Sequence, residues 1–455
     1  MNSTAGKGLH LTSSVQRRLE ASSLGLRLAR GAFWSLVGAV ISRVLGVLAS
    51  VLVARMLGRE GFGELGVIQS TVGMFGTFAG FGLGLTATKY VAEFREKDAA
   101  KAGRIMALSE RIALFTGGLT AVALIVLAPW LAARTLAAPR LSGLLQIGTA
   151  LLFFNALTGV QTGALAGFEA FKTIAWVNFL AGAAAFPLMV GGVYVAGLDG
   201  AVWGLVASTV LNWVLNQFAL RREAARACVV MTAQGCMQEW PVLWRFSLPA
   251  LLSSLMMGPA NWVCYTFIVN QPGGYGEMGV FNAANQWRSL ILYLPSILVS
   301  VVLPILASLS GSEDVKRYRR VLRSSVLACY LAALMPAIAI ATLSRLIMSA
   351  YGATFAVGST ALVVLMVATV LNAGLHGIGQ VYSSRGWMWW GAVLNTVWSA
   401  VLIAATWLLR GHGAVGLAGA NVIAFAVHTA ITVPFTYLVV LHGMRERPLA
   451  TVVEV

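Results

Sequence analysis

Long apolar stretches separated by short polar segments recur along the whole chain. Twelve such runs fall at about 31–56, 62–90, 105–130, 142–166, 173–196, 200–220, 244–269, 276–306, 322–347, 358–382, 387–409 and 413–441. Each is long enough to cross a hydrocarbon layer of ~30 Å as an α-helix rising about 1.5 Å per residue. None alternates with the period of two that a membrane strand needs, so the runs predict helices rather than a barrel.

The chain also says one phrase twice. Gly61-Phe62-Gly63-Glu64-Leu65-Gly66-Val67-Ile68 returns as Gly274-Tyr275-Gly276-Glu277-Met278-Gly279-Val280-Phe281, at an offset of 274 − 61 = 213 residues. Gly200-Ala201-Val202 and Gly413-Ala414-Val415 stand at the same offset, 413 − 200 = 213. Two similar halves joined end to end are expected from this register. Lying between apolar runs, each phrase predicts the tight turn of a helical hairpin, with glycine supplying the backbone freedom. Glu64 and Glu277 then fall in the first turn of the outgoing helix, where a negative charge suits the helix dipole. Six helices per half is an even number, so the halves should share one topology and be related by a pseudo-two-fold axis along the membrane normal.

Composition agrees with the pattern. The 455 residues are 58% hydrophobic and only 11% charged, with a mean hydropathy of +0.80, whereas soluble domains run nearer a quarter charged. An all-α integral membrane protein is expected. Its net charge of +16 does not indicate nucleic acid, because the basic residues bunch in short segments between apolar runs. The tail with Arg17, Arg18, Arg27 and Arg30, the 91–104 loop, the 221–243 loop, the 310–323 loop and the end with Arg445 and Arg447 all fall on one side. By the positive-inside rule that side is cytoplasmic, both termini lie there, and both phrases face outward.

The expected organisation is a basic cytoplasmic tail (1–30), a six-helix bundle (31–220), a cytoplasmic linker (221–243), a second six-helix bundle (244–441) and a short cytoplasmic tail (442–455). The tail fits either a disordered basic segment or an amphipathic helix on the inner leaflet, and the first apolar run is too long for a cleavable signal.

Two arginines stand out. Arg43 lies about twelve residues, or ~18 Å, in from the cytoplasmic end of the first helix, and Arg288 lies about as deep from the outer end of the eighth. A charge near the bilayer centre costs at least ~2.5–3.5 kcal/mol, so each should face a watery cavity or a partner. Neither helix offers an acid near that depth. Gln69, Asn282 and Asn285 are candidates to line the same cavity, although polar side chains in helices also hydrogen-bond between helices, the reading preferred for Asn155, Gln161, Asn372 and Gln380. Pro249 and Pro259 predict kinks in the seventh helix. Glu110 and Arg111 read as a cytoplasmic-rim cluster, His376 and His428 as hydrogen-bonding residues, and Trp387, Trp389 and Trp390 as an interface anchor. The four cysteines match no zinc spacing and are expected to be reduced.

The run Gly31-Ala32-Phe33-Trp34, then Ala54-Arg55-Met56-Leu57-Gly58-Arg59-Glu60-Gly61-Phe62-Gly63, then Phe81-Gly82-Leu83-Gly84-Leu85-Thr86-Ala87-Thr88-Lys89-Tyr90-Val91-Ala92-Glu93 resembles the opening two helices of the polysaccharide (O-antigen) flippase family. That family belongs to the superfamily of multidrug, oligosaccharidyl-lipid and polysaccharide exporters. Trp244-Arg245-Phe246-Ser247-Leu248-Pro249 is similar to the family's seventh-helix start. The resemblance implies two bundles around a central cavity that opens alternately to each side. It also implies a polyprenyl-pyrophosphate-linked oligosaccharide as cargo, moved from the inner to the outer leaflet of a bacterial cell membrane.

No Ser-His-Asp set, metal-spaced cluster or phosphate loop with its lysine appears, so a transporter and not an enzyme is expected, with no cofactor. A membrane glycan ligase or glycosyltransferase should carry a long outer loop, which is missing. A multidrug cation antiporter of the same superfamily would want acids in its cavity, whereas the deep charges here are Arg43 and Arg288, which suit the pyrophosphate of a lipid-linked oligosaccharide. Glu64 and Glu277 are expected mainly to serve the helix dipoles, with coupling to a proton or sodium gradient as the alternative role. Expected partners are the lipid-linked oligosaccharide, membrane lipids and a polysaccharide polymerase, with no nucleic acid and a monomeric protein.

Overall fold

A computed structural model describes the backbone over 5–80, 82–232, 234–241, 247, 255–310, 315–384 and 388–441, and most side chains from 42 onward. The first helix, α1 (Ala5–Gly80), is followed by α2 (Leu83–Phe94), α3 (Ala99–Trp130), α4 (Ser142–Gly167) and α5 (Phe171–Arg226). Beyond the linker come α6 (Met257–Val269), α7 (Gly274–Ser310), α8 (Val315–Thr342), the short α9 (Ser344–Tyr351), α10 (Ser359–Ser384), α11 (Met388–Leu409) and α12 (Gly413–Phe435). The N-terminal segment is helical from Ala5 and continuous with the first apolar run.

Among the described residues six helical stretches are long and apolar enough to cross a membrane, the longest being Phe171–Arg226 at 56 residues. An unbroken helix of that length would run about 84 Å, nearly three times the hydrocarbon thickness. The chain instead bends at Ala196 and Gly197, where φ reaches +57° at the glycine. Gly413, at φ +54°, likewise separates α11 from α12. A multi-pass membrane protein follows from these helices.

Several sequence-level boundaries shift. The first turn comes at Gly58 (φ +71°), three residues before the repeated phrase, so Gly61 to Ile68 are already helical. In the second half Gly273 (φ +68°) takes the turn and the phrase forms the opening of α7. The phrase glycines are therefore not the turn residues expected of them. They serve close approach instead: a methyl group added at Gly63 would overlap the Tyr275 carbonyl, and one at Gly279 would overlap the Arg59 carbonyl. The two copies of the phrase pack on each other, backbone against backbone, and join the two halves.

The run 62–90 is interrupted between Gly80 and Leu83, with Gly82 left-handed at φ +66°. Pro259 sits in the first turn of α6, where the missing N–H would have had no partner, so it breaks no described helix. Pro249 lies outside the described residues.

One apolar core spans both halves and includes Phe62 of α1, whose ring lies 6.3 Å from Tyr351 and 6.1 Å from Phe355. A second, made of the first half and the linker, packs Leu83, Ala87 and Val91 of α2 against Leu157, Val160 and Ala164 of α4 and includes Val229 and Cys236. Phe115, Val126 and Val195 are instead exposed, at 68%, 71% and 83%, as side chains facing lipid should be. The linker docks on α3, with Arg104 bonded to Glu239 at 3.1 Å and Arg111 to the Cys236 sulfur at 3.3 Å. All four cysteines are free, and Cys228 alone among them is exposed.

Candidate substrate cavity

A cavity of about 470 Å³ lies between α1 and α7, with α5 and α6 adding to its wall. Its wall carries Arg43, Gln69, Asn282 and Asn285, together with Ser50, Gln286 and Tyr265. Gln69 and Asn282 are counterparts in the repeat, since 282 − 69 = 213. Each sits two turns past the start of its phrase, so the register that joins the halves also brings these two amides to the same cavity. Gly66 has no side chain because the Asn282 amide fills that space, and the Asn282 Nδ2 is buried there without a protein partner.

Arg43 is exposed on this wall, its guanidinium 4.9 Å from the centre of the Tyr293 ring on α7. The same arginine borders a second cavity of about 350 Å³, lined by Ser42, Asn178, Ser208, Thr209 and Asn212 along α1 and α5. A third, of about 620 Å³, is walled largely by glycine and leucine from α1, α2 and α4, and holds Asn155. Gln69 and Leu205 line both the third cavity and the central one, and Thr209 lines both the third and the second. Among the described residues that line the three, Arg43 is the single charged side chain.

Arg288 is not on these walls. It turns into the second half, donates to Asn421 Oδ1 of α12 at 3.1 Å and lies 5.3 Å from the Phe425 ring centre. Among the described residues no carboxylate pairs with it. The repeat register carries the reason: Arg288 is the counterpart of Phe75 (288 − 213 = 75) and Arg43 that of Met256 (43 + 213 = 256). The two arginines occupy inequivalent positions of their halves, and the structure does not bring them together.

Glu64 and Glu277 are each held in an ion pair. Buried Glu64 pairs with Arg140 in the short 3-10 turn (Pro139–Leu141) that precedes α4. Glu277 pairs with Arg59 across the halves, and its second oxygen accepts the Ala414 N–H at 2.8 Å. Glu277 thus caps the N-terminus of α12 as well as opening its own helix, the geometry a helix N-terminus favours for a carboxylate. Further bonds seal the same end: Arg55 to the Ala350 carbonyl at 2.6 Å, Asn270 to the Thr135 carbonyl at 2.8 Å and Tyr275 to the Leu136 carbonyl at 2.7 Å. Most hydroxyls on the second run of α1 donate to their own helix, as Thr71 does to Val67 at 2.8 Å.

A family model described as "Polysaccharide biosynthesis protein" matches residues 28–310. The chain belongs to that family. It is similar to the EPS I polysaccharide export inner membrane protein EpsE of Ralstonia nicotianae, 25% identical over 185 residues that make up 40% of this chain and 42% of that one. The alignment thus spans less than half of that relative. It is also similar to the lipid III flippase of Escherichia coli, 22% identical over 438 residues, 89% of this chain and 97% of that one. Among solved structures it resembles an inward-facing multidrug resistance MATE family transporter of the MOP superfamily, with a TM-score of 0.74, 16% identity, and coverage of 89% of this chain and 96% of the other. The lipid II flippase MurJ in an inward closed conformation follows at a TM-score of 0.68 and 15% identity, covering 91% and 90%. A drug exporter and a lipid flippase share this fold, so the fold leaves the cargo open.

The sequence pointed to Arg43, Gln69, Asn282 and Asn285 as cavity residues, and all four line the central cavity, but it passed over Asn178, Ser208, Asn212 and Tyr293. A signal was present, because Ser208 and Asn212 stand four apart in an apolar run and so share one helix face. The contact that Arg59 makes with Glu277 across the halves had no sequence signal. Gln161 does meet Gln217 of α5 at 2.6 Å, as expected of a helix-joining amide.

Proposed function

We propose that this protein is a flippase that carries a polyprenyl-pyrophosphate-linked oligosaccharide from the inner to the outer leaflet of a bacterial inner membrane. Two six-helix bundles, twelve helices in all and related by a pseudo-two-fold axis along the membrane normal, alternate between closing the outer and the cytoplasmic end. Both termini are cytoplasmic, and the phrase end, tied by Arg59 and Glu277, is the closed outer gate. Cargo enters from the cytoplasmic side and passes to a polymerase outside.

The observation that carries this reading is Arg43, which among the described residues of the cavity walls is the one charge, set amid amides and hydroxyls. A fixed guanidinium with no carboxylate attracts an anion, and its planar fork suits phosphate oxygens. The family match and the relatives named for polysaccharide export and lipid III flipping support the cargo class. A multidrug cation exporter, which the fold also accommodates, should carry an acid on those walls.

Vesicles of anionic and zwitterionic lipid containing the purified protein provide the test. Polyprenyl-pyrophosphoryl saccharide should become accessible to enzymes outside the vesicle, and Arg43→Ala should stop this without lowering protein content. Transport of cationic dyes with no movement of the lipid-linked saccharide is the result that favours the antiporter.

A further inference from the structure

The cavity of about 350 Å³ beside Arg43 falls within the roughly 300–1,000 Å³ of small-molecule sites. Apart from Arg43, its described wall is neutral, largely polar and already organised. Gly182 lets α5 approach Ser42, whose hydroxyl donates to the Asn178 carbonyl at 3.3 Å, and a methyl group at Gly182 would overlap that hydroxyl. Ser208 and Thr209 spend their protons on the Leu205 carbonyl, at 2.8 and 2.9 Å, and so present oxygen lone pairs to the cavity. Asn212 Oδ1 accepts from Asn216 Nδ2 at 2.9 Å, which fixes that amide and leaves its own NH₂ free to donate. The Asn178 side-chain amide is exposed and makes no bond to the described residues, so it can both donate and accept.

We infer that this pocket seats the first sugar of the cargo, with Asn178 and Asn212 reading its hydroxyl groups while Arg43 holds the adjoining pyrophosphate. The inference rests on the flippase reading above. A sugar hydroxyl donates and accepts at once, and the wall offers both functions side by side. A second phosphate would meet the lone pairs of Ser208 and Thr209 unfavourably, and a lipid tail would strand the amides without partners. The larger cavity that shares Thr209 is walled by glycine and leucine and offers few such groups. Tyr293 adds an aromatic face at the mouth, on which the apolar face of a pyranose ring can lie.

Binding of four probes to the purified full chain tests this by calorimetry: farnesyl pyrophosphate, and farnesyl pyrophosphate bearing N-acetylglucosamine, galactose or glucose. At least one glycosylated probe should bind about tenfold tighter than the bare one, the worth of one or two hydrogen bonds. Asn178→Leu and Asn212→Leu should each erase most of that gain while the bare probe keeps its affinity. Arg43→Ala should weaken all four. Because Asn212 also bonds Asn216, its variant is open to misfolding; Asn178→Leu, which breaks no bond among the described residues, then decides alone. Equal binding of all four probes by the parent, or a gain that survives in a folded Asn178→Leu protein, overturns the inference and leaves the flippase reading standing. Failure of every probe to bind the folded parent removes both.

Discussion

Arg59 of the first half pairs with Glu277 of the second, and the same carboxylate accepts the Ala414 N–H at 2.8 Å. One side chain thereby fastens α1, α7 and α12 at the end where the two copies of the phrase meet. A latch between the halves has to open in any alternating-access cycle, so its strength sets how the two states are populated.

Glu277→Gln should therefore keep an acceptor for Ala414 and lose the ion pair. A destabilisation of about 1 kcal/mol is expected for a partly exposed pair of this kind, read as a lower unfolding temperature in detergent. Transport should persist with its dependence on pH or sodium unchanged. If that dependence disappears from a protein of normal stability, Glu277 couples an ion instead of latching the halves.

Gly63 lies against the Tyr275 carbonyl with no room for a methyl group. Gly63→Ala should cost about 1–3 kcal/mol by overpacking, or force the halves apart and reduce cross-linking between them at the phrase end. Gly191 has nothing within 4 Å of an added methyl group, so Gly191→Ala should be neutral or slightly stabilising, by up to about 1 kcal/mol of helix propensity. Equal effects of the two changes on stability would show that the phrases do not pack as described.

The two deep arginines should separate by phenotype. Arg43→Ala should abolish export and trap lipid-linked precursor while leaving normal amounts of protein in the membrane, and Arg43→Lys should not restore it because the planar fork is lost. Arg288→Ala removes the partner of Asn421 inside the second half, so lower protein levels and a lower unfolding temperature are expected, by about 1–3 kcal/mol for a buried hydrogen bond to a charged group. Export at the parental rate by Arg43→Ala would make that residue structural and end the anionic-cargo mechanism.

Membrane orientation can be checked with the native cysteines. Cys228 in the linker is exposed and the other three are buried. A membrane-impermeant maleimide should leave intact cells unlabelled and mark the protein in inside-out vesicles, at Cys228. Labelling of spheroplasts from outside would reverse the assigned orientation.

By itself the sequence determined that the chain crosses the membrane repeatedly as helices and that one phrase recurs at a register of 213 residues. Those features depend on hydropathy summed along the chain and on local glycine, and both are written in linear order. It also marked Gln69, Asn282 and Arg43 as polar groups too deep in an apolar helix to be idle. Only the tertiary structure decided that the phrase glycines serve packing instead of turning, that Arg288 faces Asn421, and that Asn178, Asn212 and Tyr293 gather around Arg43. The physical reason is that a membrane helix is apolar on its lipid side and on its packed side alike. Its sequence therefore carries little signal for which face meets which neighbour. That choice is made by close packing between helices distant in the chain, as when Gly63 meets Tyr275, and each such contact fixes the rotation that aims every polar side chain on the same helix.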